Sequence, residues 1–296
     1  MPNQYITGWI VGIFASVFWG FTAIFFKQMD GFLPLEIAAH RVLWTVITLA
    51  IFGYFTARYT RLKEVLTNWR ELRLIIISAS LMGLNWFTFI YAIATNQIVE
   101  AGLGYFIYPL MVVAVGVFFL GEKLGRWEWI AVLLAALGVI VKTYANDGIP
   151  VIALVVASSF TVYTLLGKTR ISGPVVGIWA ECIVLAPVVL AYLGYLGMTG
   201  QGQFITGGST DTLLAMMTGP ITALPLILYI ASSRAIGMAM AGLMFYITPI
   251  LHVMVGAVIY REPFGLLDAT AFGIIWIGLG ILTASQFMAS RKNKGA

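Results

Sequence analysis

The sequence predicts an all-α polytopic membrane protein whose ten transmembrane helices form two inverted five-helix repeats. Three observations predict this fold: an apolar composition, ten apolar segments of spanning length, and a motif that recurs after 140 residues. Of the 296 residues, 60% are hydrophobic and 10% are charged, whereas a soluble domain carries about 25% charged residues. A soluble fold of this length cannot bury so much apolar surface. The net charge of +5 therefore indicates no nucleic-acid partner, because basic residues have a role as topology signals.

The spanning segments follow from length and hydropathy. A transmembrane helix needs about 20 mainly apolar residues, and ten segments satisfy this requirement. The segments are 6–26, 34–57, 72–95, 99–120, 127–145, 149–168, 174–197, 212–235, 240–260 and 265–289. Pro34, Pro150 and Pro174 lie at segment starts, where a missing N–H costs little. The longest connection, 197–211, is rich in Gly, Ser and Thr, and we expect a mobile loop there.

The first segment is expected to stay in the protein. It follows no basic region and lacks a small-residue cleavage pattern, which argues against a signal peptide. Small residues recur at every fourth position, at Gly8, Gly12, Ser16 and Gly20. Such a stripe predicts close contact with a neighbouring helix.

The Lys and Arg residues predict the orientation. With a cytoplasmic N-terminus, 13 of the 17 Lys and Arg residues fall in cytoplasmic connections, and Arg41 lies within a span. Only Lys27, Lys142 and Arg261 fall outside. This asymmetry follows the positive-inside rule. It favours ten spans with both termini in the cytoplasm.

A repeat links the two halves of the chain. The stretch 101–124, AGLGYFIYPLMVVAVGVFFLGEKL, returns at 241–264 as AGLMFYITPILHVMVGAVIYREPF, with nine of 24 positions identical. The matches include Pro109 with Pro249 and Glu122 with Glu262. A repeat at fixed spacing indicates a duplicated unit, so we predict repeats at 1–146 and 147–296. Because each unit has five spans, the second copy is inverted, as is typical of secondary transporters with a site between the halves.

The residues of helices two to four resemble a known family. The ten spans, the repeat and the proline in the fourth and ninth helices resemble the EamA-type drug/metabolite transporters over the whole chain. The residues that resemble the RarD branch are Glu36, His40, Arg41, Trp44, Asn85, Trp86, Tyr108 and Pro109. Thr248 stands in the second half where Tyr108 stands in the first.

The resemblance implies a permease of the bacterial inner (plasma) membrane. It implies a central cavity between the halves, peripheral fifth and tenth helices, and small metabolites, amino acids or drugs as substrates. The RarD branch is named for a link to chloramphenicol sensitivity.

The second span is unusual because Glu36, His40 and Arg41 lie in one apolar helix. A charge at the bilayer centre costs roughly 2.5–3.5 kcal/mol on insertion scales. Glu36 and His40 are one turn apart and share a helix face. The cluster either faces a cavity, where it binds a polar part of the substrate or a proton, or it is a structural network. His40 favours the first interpretation and Glu36, near the helix end, the second.

Glu181 in the seventh span is the repeat mate of Arg41, because the two positions differ by the repeat offset. An arginine in one half and a carboxylate in the other would lower each other's cost of burial. The sequence therefore suggests the hypothesis of an Arg41–Glu181 pair across the pseudo-twofold axis.

Aromatic, amide and charged side chains of the spans are expected to line the substrate pocket. The predicted lining consists of His40, Arg41, Trp44, Trp19, Asn85, Trp86, Tyr91, Tyr108, Glu181 and Tyr246. Packing or membrane-interface anchoring is the alternative for any single aromatic. Proton coupling is assigned to His40, Glu181 and His252, with a packing role as the alternative for His252. Pro109 and Pro249 each remove a helix hydrogen bond and are predicted gating positions.

The sequence lacks the motifs of the main enzyme classes. It contains no HExxH, no paired-cysteine metal motif, no Walker-type loop and no nucleophile elbow. The single cysteine, Cys182, forms no internal disulfide and implies no metal site. We therefore predict no enzyme, no cofactor and no metal.

The predicted function is secondary active transport by alternating access. The partners are a small-molecule substrate and the lipid bilayer, without nucleic acid, and the oligomeric state is open between monomer and homodimer. The alternative is a membrane channel or a structural membrane subunit.

Overall fold

The regular elements of the computed structural model are helices throughout the part of the chain that it describes. That part comprises residues 2–56, 58–120, 125–145 and 148–294. The helices are α1 Pro2–Lys27, α2 Pro34–Phe55, α3 Tyr59–Thr67, α4 Trp69–Ala94, α5 Ile98–Leu120, α6 Arg126–Ala145, α7 Val151–Thr169, α8 Pro174–Thr199, α9 Gln203–Thr206, α10 Ser209–Ile236, α11 Met238–Phe245, α12 Ile247–Met254 and α13 Leu266–Lys294. A π-helical turn, Val255–Ile259, follows α12.

Eight helices within the described ranges are long and apolar enough to cross a membrane: α1, α2, α4, α5, α6, α8, α10 and α13. Two shorter apolar helices, Val151–Gly167 and Ile247–Ile259, accompany them. Each of the ten segments predicted from the sequence coincides with one of these elements. The protein is therefore an all-helical, multi-pass membrane protein.

Two short helices lie where the sequence analysis placed only connections. In α3, Leu62 and Val65 are buried against α4 and α8, because the apolar residues recur at helical spacing. The segment 197–211, where the sequence predicted a mobile loop, is largely helical, because α8 runs to Thr199, α9 covers Gln203–Thr206 and α10 begins at Ser209. Its Phe204 backbone N–H donates to Glu36 Oε1 at 3.1 Å, which fixes α9 to α2.

The ninth predicted span is interrupted, whereas the sequence predicted a continuous segment. Proline has no N–H, so Pro249 cannot donate to the carbonyl oxygen of Phe245, and the chain breaks between α11 and α12 at Tyr246. Pro109, its counterpart in the repeat, lies inside a continuous α5. The two aligned prolines therefore differ in their effect on the helix.

The two halves of the chain are interleaved. α1 packs on α10, α11 and α12, whereas α7 packs on α4 and α5. α2 contacts α8 and α10, α8 also contacts α4, and α6 packs along α13. If α1 is exchanged with α7, α2 with α8, α4 with α10, α6 with α13, and α5 with the interrupted pair α11 and α12, each of these contacts has a counterpart. The arrangement brings α1 and α2 against α10, and α2 and α4 against α8.

Small residues permit the closest helix contacts. The predicted stripe on α1 lies at such contacts: a Cβ on Gly8 would lie 2.7 Å from Ala235 Cβ, and one on Gly20 would lie 2.5 Å from Leu251 Cβ. On α10, a Cβ on Gly219 would overlap the backbone carbonyl of Trp44 on α2. A backbone atom cannot rotate away, so the α2–α10 contact requires glycine at this position.

We expect Gly219→Ala to lower the thermal stability of the purified protein in detergent. Overpacking of a close contact costs roughly 1–3 kcal/mol. The matched control is Gly194→Ala on α8, where no other atom lies within 4 Å of the added Cβ. Equal midpoint temperatures for the two variants would contradict the close contact between α2 and α10.

Candidate functional site

Arg41 lies within α2, at a point where helices from both halves of the chain meet. The residue is 7% exposed. Its Nε donates to Thr222 Oγ1 of α10 at 2.9 Å. The guanidinium carbon lies 4.2 Å from the ring centroid of Trp86 on α4 and 5.3 Å from that of Phe26 on α1. The structure thus brings together Arg41 and Trp86, two of the residues predicted to line the pocket.

The charge of Arg41 is not balanced by a carboxylate in the described ranges. No described carboxylate oxygen lies within 4.0 Å of its guanidinium, and its Nη1 is buried without a hydrogen-bond partner. Arginine stays protonated in proteins. The ring of Trp86 supplies about 0.5–2 kcal/mol of cation–π attraction, which is much weaker than an ion pair in a dry interior.

Polar atoms without partners continue along α2 on both sides of Arg41. The ring of His40 lies 4.7 Å from that of Phe204, its Nε2 is 3.9 Å from Glu36 Oε1, and both ring nitrogens lack a hydrogen bond. Trp44 Nε1 is also buried without a partner. Glu36 has one partner: its Oε1 accepts from the Phe204 backbone N–H, whereas its Oε2 is buried without one. That bond agrees with the structural interpretation of Glu36.

Glu181 is fully buried and has a partner other than the predicted one. Its carboxylate forms an ion pair with Arg170, accepts from Ser78 Oγ at 2.7 Å, and accepts from Tyr163 at 3.2 Å. The hypothesis of an Arg41–Glu181 pair is therefore wrong for this structure. The short connection between α7 and α8 brings Arg170 back onto α8, so the offset of the repeat did not identify the partner of Glu181.

Asn85 ties three helices together. Its Nδ2 donates to Val156 O and to Ser159 Oγ of α7, each at 3.1 Å, and its Oδ1 accepts from Tyr105 of α5 at 3.2 Å. Both ends of the amide are occupied. Asn85 therefore positions α4 against α5 and α7 in this structure.

His252 is buried on α12 among aromatic rings. Its Nε2 lies 3.2 Å from the carbonyl oxygen of Trp19, and because a carbonyl only accepts, the bond assigns the proton to Nε2. The ring lies 4.9 Å from that of Phe89 and 5.8 Å from that of Tyr105. The Trp19 indole lies 5.6 Å from the ring of Phe245. These contacts join α12 to α1 and α4, as expected for a packing histidine.

The remaining predicted aromatics divide into two groups. Tyr108 and Tyr246 pack against the core shared by α5, α6, α7 and α13, and the ring of Tyr108 lies 4.7 Å from that of Phe160 on α7. Tyr91 is 42% exposed, with Phe87 of its own helix 6.2 Å away. The structure therefore does not bring Tyr91 to the other predicted residues.

Several interacting residues were absent from the sequence-based site. Arg170 had been counted only as a topology residue, and neither Ser78 nor Tyr163 nor Thr222 carries a motif. Glu262 was noted for its place in the repeat, and its two carboxylate oxygens accept from Ile98 N and Val99 N at 2.8 Å each. No described group of three or more His, Cys, Asp or Glu is arranged to hold a metal.

Comparisons with known proteins show what the chain is similar to. A model of the EamA-like transporter family matches residues 6–144. The chain is 32% identical to "Uncharacterized transporter YojE" of Bacillus subtilis, over 94% of each chain. It is 32% identical to "Protein RarD" of Streptomyces exfoliatus, over 99% of this chain and 93% of that protein. One crystal structure superposes with a TM-score of 0.57 at 18% identity, over 93% of this chain and 96% of the other. That likeness concerns the fold alone.

We expect Arg170→Ala and Glu181→Ala each to destabilise the protein strongly. Removal of one partner leaves an unpaired buried charge, which typically costs about 3–5 kcal/mol. Thermal unfolding of both single variants and the double variant, in detergent, measures the coupling. Because the double variant leaves no orphan charge, it is expected to lose less than the sum of the two single losses. Additive losses would contradict the pair.

Proposed function

The chain belongs to the RarD family of EamA-type drug/metabolite transporters, and we propose that it moves its substrate as a secondary active transporter. It is a membrane permease by family. The proposed substrate is a small metabolite, an amino acid or a drug, and the proposed location is the bacterial inner membrane. The relatives' names include transporters without a named substrate, so the substrate class has to come from the site.

The proposed mechanism is alternating access between two inverted repeats, 1–146 and 147–296. The recurring motif at 101–124 and 241–264 supports the duplication. The exchange of helix contacts between the halves, in which α1 packs on α10 as α7 packs on α4, also supports it. Two related halves of opposite orientation can exchange inward- and outward-facing shapes at similar energy, which is the basis of transport in other inverted-repeat folds.

The proposed binding site centres on Arg41. The single observation that carries this proposal is a buried guanidinium, contacted from α1, α4 and α10, that has an unused donor and no described carboxylate. An ionisable residue at such a position in a membrane protein is a functional candidate. His40, Trp44 and Trp86 belong to the same proposed site, because they are polar or aromatic and lie on α2 or against Arg41.

Among the three predicted proton carriers, His40 is the one we propose. Glu181 is engaged by Arg170, and His252 uses Nε2 on the Trp19 carbonyl and has only Nδ1 without a partner. Neither ring nitrogen of His40 has a hydrogen bond, and His40 lies next to Arg41 on α2. A group that takes up a proton during transport needs a free nitrogen.

The interruption before Pro249 is the proposed gating hinge. It places two short helices, α11 and α12, end to end at Tyr246. Helix ends are positions that absorb large backbone changes during hinge motions. Pro109, in a continuous helix, is proposed as the corresponding position of the other half.

Topology mapping tests the inverted arrangement. We expect reporter domains fused to either end of the chain to be active on the cytoplasmic side only, because the basic connections would then obey the positive-inside rule. A reporter inserted at Gly200, in the connection before α9, is expected on the opposite side. Termini on different faces of the membrane would rule out ten spans.

Counterflow in proteoliposomes tests transport itself. We expect saturable exchange of labelled solutes, and we expect His40→Ala and Arg41→Ala to reduce it by about tenfold or more, since loss of a charged hydrogen bond is worth about 1.5–3 kcal/mol. Tyr91→Ala, an exposed aromatic of α4, is the control that keeps wild-type flux. All variants are first checked for membrane insertion.

The outcomes of this measurement separate the classes of function. Flux that does not saturate and runs without exchange would indicate a channel. No flux of any of the tested amino acids and amphenicols would favour a structural subunit. Full flux in both α2 variants would show that the polar residues of α2 are structural.

A further inference from the structure

We propose that Arg41 binds the carboxylate of an anionic solute whose body is aromatic or otherwise apolar. This inference rests on the proposed transport function, since it names the class of substrate that the same site accepts. The partners of other buried cations in this chain provide the comparison.

Two other cations of the described ranges whose side chains are buried each have a carboxylate of their own. Lys142 on α6 pairs with Asp268 on α13, and Arg170 pairs with Glu181. Arg41 is also buried, with 7% of its surface exposed, and has no such partner among the described residues. Transfer of an unpaired charge into an apolar interior is far more costly than transfer of a pair. Of these three cations, Arg41 alone lacks a counter-charge among the described residues.

The contacts of Arg41 restrict where an anion can bind. Aromatic rings lie against the guanidinium carbon from α4 and α1, at 4.2 Å for Trp86 and 5.3 Å for Phe26. Thr222 occupies the Nε donor, whereas Nη1 is buried with no partner. The donors of a guanidinium lie along the edges of its plane and match the two oxygens of a carboxylate. The free Nη1 is thus the donor that the ligand would use.

The surroundings of the guanidinium favour an apolar body next to the carboxylate. Trp86 and Phe26 supply ring surface, and ligand pockets of this kind combine apolar walls with a few placed polar groups. Phe26 also lines a cavity of about 60 Å³, whose wall includes the apolar Ile37 and Ile90 and the charged Lys27 and Asp30. That volume is small for a solute of this class, so binding is expected to displace Phe26. An inorganic anion would use the charge of Arg41 but none of this ring surface.

Thermal unfolding of the full-length protein in detergent tests the proposal with defined probes. The probes are phenylacetate and indole-3-acetate, with phenylacetamide and indole-3-acetamide as neutral counterparts of the same shape. Acetate, inorganic phosphate and chloride test for an inorganic or minimal anion. A ligand that binds the folded state raises the midpoint temperature as its concentration rises.

We expect the two aromatic acids to stabilise the wild-type protein in a saturable manner, and the amides to have no effect. Arg41→Gln should weaken the apparent affinity by about tenfold or more, because a charged hydrogen-bonding partner is lost. Arg41→Lys keeps the charge without the planar fork, so its apparent affinity should lie between those of the wild-type protein and Arg41→Gln. Arg234→Gln, which removes an exposed arginine at the end of α10, is the control that keeps the wild-type response.

Four outcomes would overturn the inference: amides that stabilise as well as acids, an unchanged response in Arg41→Gln, saturation by chloride or phosphate at the same concentrations, or no response to either acid. If Arg41→Gln does not fold, Arg41→Lys decides, since full affinity in that variant would exclude recognition through the fork. Counterflow separates this inference from transport. If counterflow exchanges the amides as well as the acids, the carboxylate site is refuted and the transport function stands. If the acids bind but are not exchanged, the carboxylate site stands and the transport function is refuted.

Discussion

The cost of placing a charge in the low-dielectric interior of the helix bundle governs where this chain puts its ionisable groups. Removal of one member of a buried ion pair costs about 3–5 kcal/mol, so a cation between helices needs a fixed counter-charge. Asp268 supplies it for Lys142, and Glu181 supplies it for Arg170. Each pair also fixes a helix contact, α6 on α13 in the first case and the α7–α8 connection on α8 in the second. Arg41 departs from this rule.

The same constraint explains how the connections between helices are held. The first backbone N–H groups of a helix have no partner within that helix, and glutamates of other elements accept from several of them. Glu262 accepts from the start of α5, and Glu100 accepts from Ile152 at the start of α7. Glu71 accepts from Ile171, just before α8. These contacts anchor the helix ends to their neighbours. By contrast, many of the described buried side-chain polar atoms without a hydrogen-bond partner lie along α2.

Features that depend on local sequence were predictable, and features that depend on a neighbouring helix were not. Apolar length located every long helix, and the spacing of small residues located the close contacts of α1. The break at Pro249 follows from its missing N–H, yet Pro109 shares that chemistry without breaking α5, so packing decides the outcome. The position of Tyr91 away from the proposed site could have been predicted. Tyr91 follows Trp86 by five residues, which places it about 140° around the helix from Trp86. The Arg170–Glu181 pair was not, since the positive-inside rule treats every loop arginine alike.

Sequence alone identified Arg41 as an unusual residue, but the absence of its counter-charge appeared only when the partners of the other charges were known. That absence bears on the proposed mechanism of alternating access. A ligand shifts a conformational equilibrium only by the difference in its affinity for the two states. A carboxylate that neutralises Arg41 would interact most strongly with the state in which α1, α4 and α10 surround the guanidinium, because the attraction grows as water is excluded. An empty carrier and a loaded carrier would then differ in the stability of that closed state, and the missing charge would couple binding to the movement of the two halves.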